Sequence, residues 1–197
     1  MRKSVNLIKL VLLAAIISLS ACKNDKKSEA KEGVKETNKE DTERKKEDLN
    51  HVPGVLMTMH KETMTLLDIG MEKSENPKVK EYIENFQNEL TVVMGKSEHV
   101  FQKSGLEVKD SKLSEVLKEK IKATEKQIKT LDSEKYDQQY MENISEYLFE
   151  QLGVVETELV PIKDNRELGE AVHLTMIAYK TYADHALKLE REMEASN

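Results

Sequence analysis

Residues 76–100 read NPKVKEYIENFQNELTVVMGKSEHV. Asn76 is a good helix N-cap, and Pro77 is favoured at the first position of a helix. Apolar residues then recur at steps of four and three, with Ser97 as the polar interruption: Val79, Ile83, Phe86, Leu90, Val93 and Val100. This spacing predicts one long helix with a continuous packing seam, as in a helix bundle. Gly105 fits the position that ends it.

Apolar residues at helical spacing continue on both sides of this stretch. Upstream, Pro53 suits a first helical turn, and two neighbouring apolar stripes over residues 52–71 predict a helix with a wide buried face. Downstream, residues 113–131 carry a narrow apolar stripe among lysines. They predict a shorter helix on the outside of the protein.

Two further long helices are predicted in the C-terminal part of the chain. One runs from Ser133 to the neighbourhood of Pro161, and the last follows a capping-box pattern at Asp164–Glu167. We therefore expect an all-α fold over residues 51–197. Its predicted form is an antiparallel four-helix bundle, ferritin-like, with one extra short helix between the second and third long helices.

Residues 1–21 have the layout of a bacterial secretion signal. A basic start precedes an apolar run at residues 10–17, and small residues follow. The run is too short to cross a membrane, which takes roughly 20 residues. Leu19-Ser20-Ala21-Cys22 resembles a lipobox, so we expect cleavage before Cys22 and attachment of acyl chains to this cysteine.

Residues 22–50 are predicted to hold the lipidated cysteine and a disordered, charged linker. Nine basic and nine acidic residues balance one another, and Val34 and Leu49 are almost the only large apolar side chains. Such a segment cannot bury enough surface to offset the entropy lost on ordering. An isolated Lys/Glu helix in part of it is the alternative, and both interpretations leave it solvated.

Charge and cysteine content restrict the function further. Cleavage before Cys22 removes three of the 31 basic residues, so 28 basic and 37 acidic residues leave a net charge of −9. An acidic surface argues against nucleic acid or anionic lipid as the main partner. The single cysteine excludes a disulfide within the chain.

We therefore expect a lipid-anchored protein of the bacterial cell envelope. Its expected location is the outer membrane, facing the periplasm, or the cell surface. The predicted membrane contact is the N-terminal lipid anchor, and the sequence leaves any protein partner open.

Two groups of side chains are candidate metal ligands. The first combines thioethers with an imidazole at helical spacing: Met57, His60, Met64 and Met71. Such ligands suit Cu(I), whereas the alternative is that methionine fills an irregular core. The second is the Glu-x-x-His pair Glu170 and His173, but a di-metal bundle site needs two such pairs. We therefore expect no metal and no cofactor, with copper as the alternative.

The chain contains no catalytic constellation that we recognise. It has no Ser-His-Asp order, glycine-rich phosphate loop or nucleophile elbow. Tyr136, Asp137, Tyr140 and Tyr147 are interpreted as capping and packing residues, with a buried polar cluster as the alternative. We expect a non-enzymatic binding or structural role in the envelope, with a link to envelope stress. The alternative is a copper-binding or metal-buffering periplasmic protein.

Three segments carry a resemblance to a known family: Asn76–Lys80, Tyr136–Met141, and the last helix with Asp184-His185. They look like domain-of-unknown-function family 4142, whose members are small, exported, ferritin-like helical proteins of bacterial envelopes. The resemblance covers roughly residues 55–192. It implies the same ferritin-like fold for this chain.

The sequence departs from the family pattern where the resemblance implies polar ligands. Thr63 stands where the family tends to have Glu, and Glu89-Leu90 stand where it favours Asp-His. Tyr147-Leu148 occupy the region of a family His, and only the His of the last helix is kept, as His185. Any metal or polar centre implied by the resemblance is therefore mostly absent.

Overall fold

The computed structural model describes residues 49–159 and 166–195. In this part of the chain there are five α-helices and no strand, which confirms the all-α prediction. The helices are α1 (His51–Lys73), α2 (Pro77–Lys103), α3 (Lys112–Lys129), α4 (Tyr136–Val154) and α5 (Arg166–Glu194). A 3-10 turn (Ser133–Lys135) precedes α4, and a π turn (Val155–Leu159) continues it.

Several sequence predictions fall outside the described residues. They concern the signal peptide, Cys22, the linker up to residue 48, and the capping pattern at Asp164. Among the helices that are described, none combines the length and the apolar composition that crossing a bilayer requires.

The ends of α2 follow the local signals of the sequence. The Asn76 side chain accepts a hydrogen bond of 2.9 Å from the Lys78 amide, with Pro77 at the start of the helix. At the other end Gly105 has a φ of 64°, which favours glycine. The Leu106 amide donates to the Phe101 carbonyl at 2.9 Å, which completes a Schellman motif.

The central element of the core is α1, which packs against all four other helices. All nine residues from Val52 to His60 are buried, including Val55 and Thr58, which lie off both predicted stripes. A helix that is buried on every side needs neighbours on every side. The predicted outer helix α3 supplies one of them, because it packs on α1 and buries Leu117, Ile121 and Ile128.

Contacts between helices show their relative directions. The first turn of α2 meets the last turn of α5 through the Lys78–Glu192 ion pair, and Phe86 stacks on Tyr182 further along. These two helices therefore run antiparallel. Along α1 and α4, the Tyr140 hydroxyl donates to the Leu66 carbonyl at 3.2 Å, while Tyr147 reaches back to Thr63. This second pair of helices is also antiparallel.

Candidate functional site

A polar cluster lies in the middle of the core, where α1, α4 and α5 meet. Thr63 Oγ1 lies 3.0 Å from the Tyr147 hydroxyl and 2.9 Å from the Tyr179 hydroxyl. Each residue comes from a different helix, and none is more than 4% exposed. We call these three residues, together with His60 and Thr175, the polar centre.

The protons of the three hydroxyl groups can be placed from the acceptors around them. Thr63 Oγ1 lies 2.7 Å from the Met59 carbonyl, which can only accept. The single Thr63 hydroxyl proton is therefore donated there, and both tyrosine hydroxyls donate to the two lone pairs of Thr63 Oγ1. Thr63 is thus the hub of the polar centre, with one bond donated and two accepted.

His60 and Thr175 form the adjacent layer of the polar centre. Thr175 Oγ1 donates to the Ala171 carbonyl at 3.0 Å, so it accepts from His60 Nε2, also at 3.0 Å. The imidazole proton is therefore on Nε2, which leaves Nδ1 as a bare acceptor. Nδ1 is buried and has no hydrogen-bond partner among the described residues. The ring meets the Tyr179 ring edge-on, with 6.1 Å between the centroids.

Burial keeps every group of the polar centre neutral at pH 7. It lowers the pKa of His60 from 6.5 to about 4, because the imidazolium would lose its hydration. Burial likewise raises the pKa of Tyr147 and of Tyr179 above the ordinary value. None of the described buried polar side chains is a carboxylate, a lysine or an arginine. The polar centre therefore consists of neutral side chains that are hydrogen-bonded across three helices.

The buried imidazole leads to a prediction about stability and pH. Between pH 6.5 and pH 4 the unfolded chain protonates His60 while the folded chain does not, so stability falls as the pH falls through this range. The difference between the His60 pKa values of the unfolded and folded chain corresponds to about 3 kcal/mol of unfolding free energy. In urea unfolding measured from pH 7 to pH 4, we expect His60→Gln to lack the part of the stability loss that His60 causes. His99→Gln, at an exposed position, is the control. Parallel curves for wild type and His60→Gln would contradict the prediction.

The candidate metal ligands do not share one environment. Met57 and His60 are buried, while Met64 and Met71 are partly buried and pack against the core. The other pair, Glu170 and His173, is exposed on α5. No three His, Cys, Asp or Glu side chains of the described residues are grouped as a metal site. Methionine ligands lie outside that statement, so the copper hypothesis stays a prediction.

The Tyr-Asp-x-x-Tyr segment has a structural role at the end of the protein where α1 joins α2. The Asp137 carboxylate accepts from the Ser74 hydroxyl and, at 3.0 Å, from the Asn76 amide, which ties the connection to α4. Tyr136 stacks on Tyr140 with 5.8 Å between ring centroids. A Cβ at Gly70 would collide with the Tyr140 ring. Capping and packing therefore account for these residues, whereas Tyr147 belongs to the polar centre.

The departures from the family pattern come together in space. Thr63 and Tyr147, which stand at or near positions where the resemblance implies Glu and His, are hydrogen-bonded to each other. Leu90 is completely buried, and His185 is exposed with its ring 5.3 Å from that of Tyr82. Neutral hydroxyl groups thus occupy part of the region where polar ligands are implied. Thr175 and Tyr179 complete the polar centre, and the sequence pattern did not single them out for it.

The described part of the chain is thus an all-α domain with a neutral, hydrogen-bonded polar centre in its core. The family model described as "Domain of unknown function (DUF4142)" matches residues 34–189. The chain belongs to this family. Comparison with curated proteins and with solved structures gives no match.

Proposed function

We propose that this protein is a lipid-anchored component of the bacterial cell envelope with a non-enzymatic binding or structural role, linked to envelope stress. The proposed anchor is Cys22, and the proposed location is the outer membrane, facing the periplasm, or the cell surface. The signal-like residues 1–21 and the charge-balanced linker support the anchoring. The acidic surface makes nucleic acid an unsuitable partner.

The proposed scaffold is an antiparallel, ferritin-like four-helix bundle of α1, α2, α4 and α5, with α3 as the extra helix. The antiparallel pairs α2–α5 and α1–α4 support this arrangement, as does the extensive packing of α4 on α5. In such bundles, metal and cofactor sites are built from side chains that project into the core. The chemistry of those core side chains therefore bears on function.

The observation that carries the non-enzymatic proposal is the neutral polar centre. A di-metal site of this bundle type needs carboxylates from all four helices. Here the described core has hydroxyl groups and a neutral imidazole instead, with Thr63 saturated by its three partners. The three hydroxyl groups at Thr63 are neutral and bonded to one another, and such groups serve packing and register. Binding would then take place on the surface of the bundle.

Lipid anchoring leads to a direct prediction. We expect Cys22→Ala to remain uncut by lipoprotein signal peptidase and to incorporate no acyl label, because the thiol is the attachment atom. Ser18→Ala, directly after the apolar run of the signal, is the matched control and should be labelled normally. Metabolic labelling with a fatty acid, followed by gel analysis, measures both. Normal labelling of Cys22→Ala would refute the anchor.

Copper binding is the second candidate function, and one observation favours it. Within the described part of the chain, nothing hydrogen-bonds to His60 Nδ1, and Met57 and Met64 lie at i−3 and i+4 on the same side of α1. Imidazole nitrogen and thioether sulfur are suitable Cu(I) ligands. The absence of a thiolate and the packing of these methionines against the core favour the first proposal instead.

We expect the purified protein to carry no copper and to show no tight binding of Cu(I). Met64→Leu should cost less than about 1.5 kcal/mol of stability, since the two side chains have similar volumes. Elemental analysis and competition with a Cu(I) chelator are the measurements. A tight one-to-one complex that weakens in both Met64→Leu and His60→Ala would replace the first proposal with the second.

A further inference from the structure

The solvent face of α4 carries charge of one sign only. Residues 136–159, which comprise α4 and its π turn, contain no basic residue and six acidic ones: Asp137, Glu142, Glu146, Glu150, Glu156 and Glu158. Glu142, Glu146 and Glu150 are exposed and follow one another at four-residue spacing. No ion pair joins these three to another described residue. We call this surface the acidic face.

The acidic face is unfavourable for the isolated molecule. Like charges at i and i+4 destabilise a helix by about 0.2–0.5 kcal/mol per pair. Glu190 of α5 adds to the crowding, since burial and the nearby Glu142 raise its pKa. Phe149 is 43% exposed on the same side of α4. An exposed aromatic ring with charged neighbours has the composition of a binding surface.

The opposite charge is concentrated on α3. This helix has six lysines and three glutamates. Lys118, Lys122 and Lys129 have carboxylate partners close to them in the chain, but no ion pair joins the exposed Lys112, Lys120 or Lys126 to a described residue. Val116, midway between Lys112 and Lys120, is 47% exposed. We call this surface the basic face.

The two faces match in spacing as well as in charge. Lys112 and Lys120 are eight residues apart, as are Glu142 and Glu150, so both pairs span about 12 Å of helix. Each face also offers one exposed apolar side chain near its centre, Val116 and Phe149 respectively. Since α3 and α4 touch in the fold, the faces belong to neighbouring helices. In a two-fold dimer, each face would meet its opposite on the other copy.

We propose that the occupant of the acidic face is a second copy of this chain. In the proposed dimer, the basic face of α3 in each copy binds the acidic face of α4 in the other, so that the interface forms twice around a two-fold axis. The unpaired lysines then find carboxylates, and the two exposed apolar side chains are covered. The interface is closed, because each copy uses both faces in one contact with its partner. This dimer does not depend on the lipid anchor.

The test is the protein mass of the full chain, purified in a nonionic detergent and measured by light scattering during size-exclusion chromatography. We expect a dimer at about 20 mM salt and a monomer at about 500 mM, because salt screens exposed charges. The acid-to-basic variant carries Glu142→Lys, Glu146→Lys and Glu150→Lys, and the basic-to-acid variant carries Lys112→Glu, Lys120→Glu and Lys126→Glu. Each alone should be monomeric at low salt. Glu84→Lys, on the exposed side of α2, should still form the dimer.

Mixing the two reversed variants is the decisive step. Their faces are again complementary in both contacts, so we expect a one-to-one heterodimer at low salt. The wild-type salt dependence tests the proposal even if a variant fails to fold, which circular dichroism would show. A wild-type monomer at low salt, a dimer that is insensitive to salt, assembly beyond a dimer, or folded variants that do not associate when mixed would each overturn the proposal.

Discussion

Replacing Gly54 with alanine is expected to lower the free energy of unfolding by about 3 kcal/mol, at the upper end of the range for overpacking. A Cβ at this position would lie 2.9 Å from the Lys109 carbonyl carbon and closer still to its oxygen. The obstacle is backbone, which cannot rotate away as a side chain can. The connection that contains Lys109 is also held at both ends, by the Schellman motif at Leu106 and by the capping box at Ser111.

Gly95→Ala is the matched control for Gly54→Ala. Gly95 lies inside α2, and a Cβ there would have no heavy atom within 4 Å. Alanine should therefore stabilise the protein by about 0.5–1 kcal/mol, the usual difference from glycine within a helix. Urea unfolding at pH 7 measures both variants. A cost below about 1 kcal/mol for Gly54→Ala would show that α1 and the connection before α3 are not packed as closely as described.

Thr63→Val is expected to cost about 2–4 kcal/mol, although valine has nearly the shape of threonine. The substitution removes the acceptor of both the Tyr147 and the Tyr179 hydroxyl groups. Two buried donors are then left without partners, and each carries a desolvation penalty of about 1–3 kcal/mol. Thermal and urea unfolding give the change, with near-ultraviolet circular dichroism as the check that the core remains packed.

The matched control for Thr63→Val removes the donors as well. The triple variant Thr63→Val, Tyr147→Phe and Tyr179→Phe leaves no hydroxyl group at the hub, so its stability should return to within about 1 kcal/mol of wild type. Replacing all partners of a buried hydrogen bond by apolar groups can be nearly neutral. If the losses of unfolding free energy were instead additive over the three substitutions, the hydroxyl groups would act independently of one another.

The parts of the fold that local chemistry determines could be predicted from the sequence. The cap at Asn76, Pro77 at the helix start and Gly105 after its end act within a few residues, and all three occupy the predicted positions. The seam of α2 is likewise buried, including Ser97, whose hydroxyl has no hydrogen-bond partner in the part of the chain that the structure describes. Such signals need no knowledge of the neighbouring helices.

The polar centre could not be predicted, because it depends on how helices are aligned against one another. Tyr147 lies about three turns of helix after Tyr136, so the two tyrosines occupy different levels of the core despite their common segment. Thr63 looks like a polar interruption in an apolar stripe until Tyr147 and Tyr179 reach it from other helices. The burial of Val55 and Thr58 has the same origin, since these residues lie off both apolar stripes of α1 and are covered by neighbouring helices.

The most direct test of a neutral, structural polar centre is the ¹⁵N NMR titration of the His60 imidazole from pH 7 to pH 4, with and without one equivalent of Cu(I). His60 Nδ1 is the buried nitrogen of the polar centre that is open to a proton or a metal. We expect a neutral ring with its proton on Nε2, a pKa of about 4, and no change at Nδ1 when Cu(I) is added. A pKa near 6.5, or an Nδ1 resonance shifted by Cu(I), would contradict it.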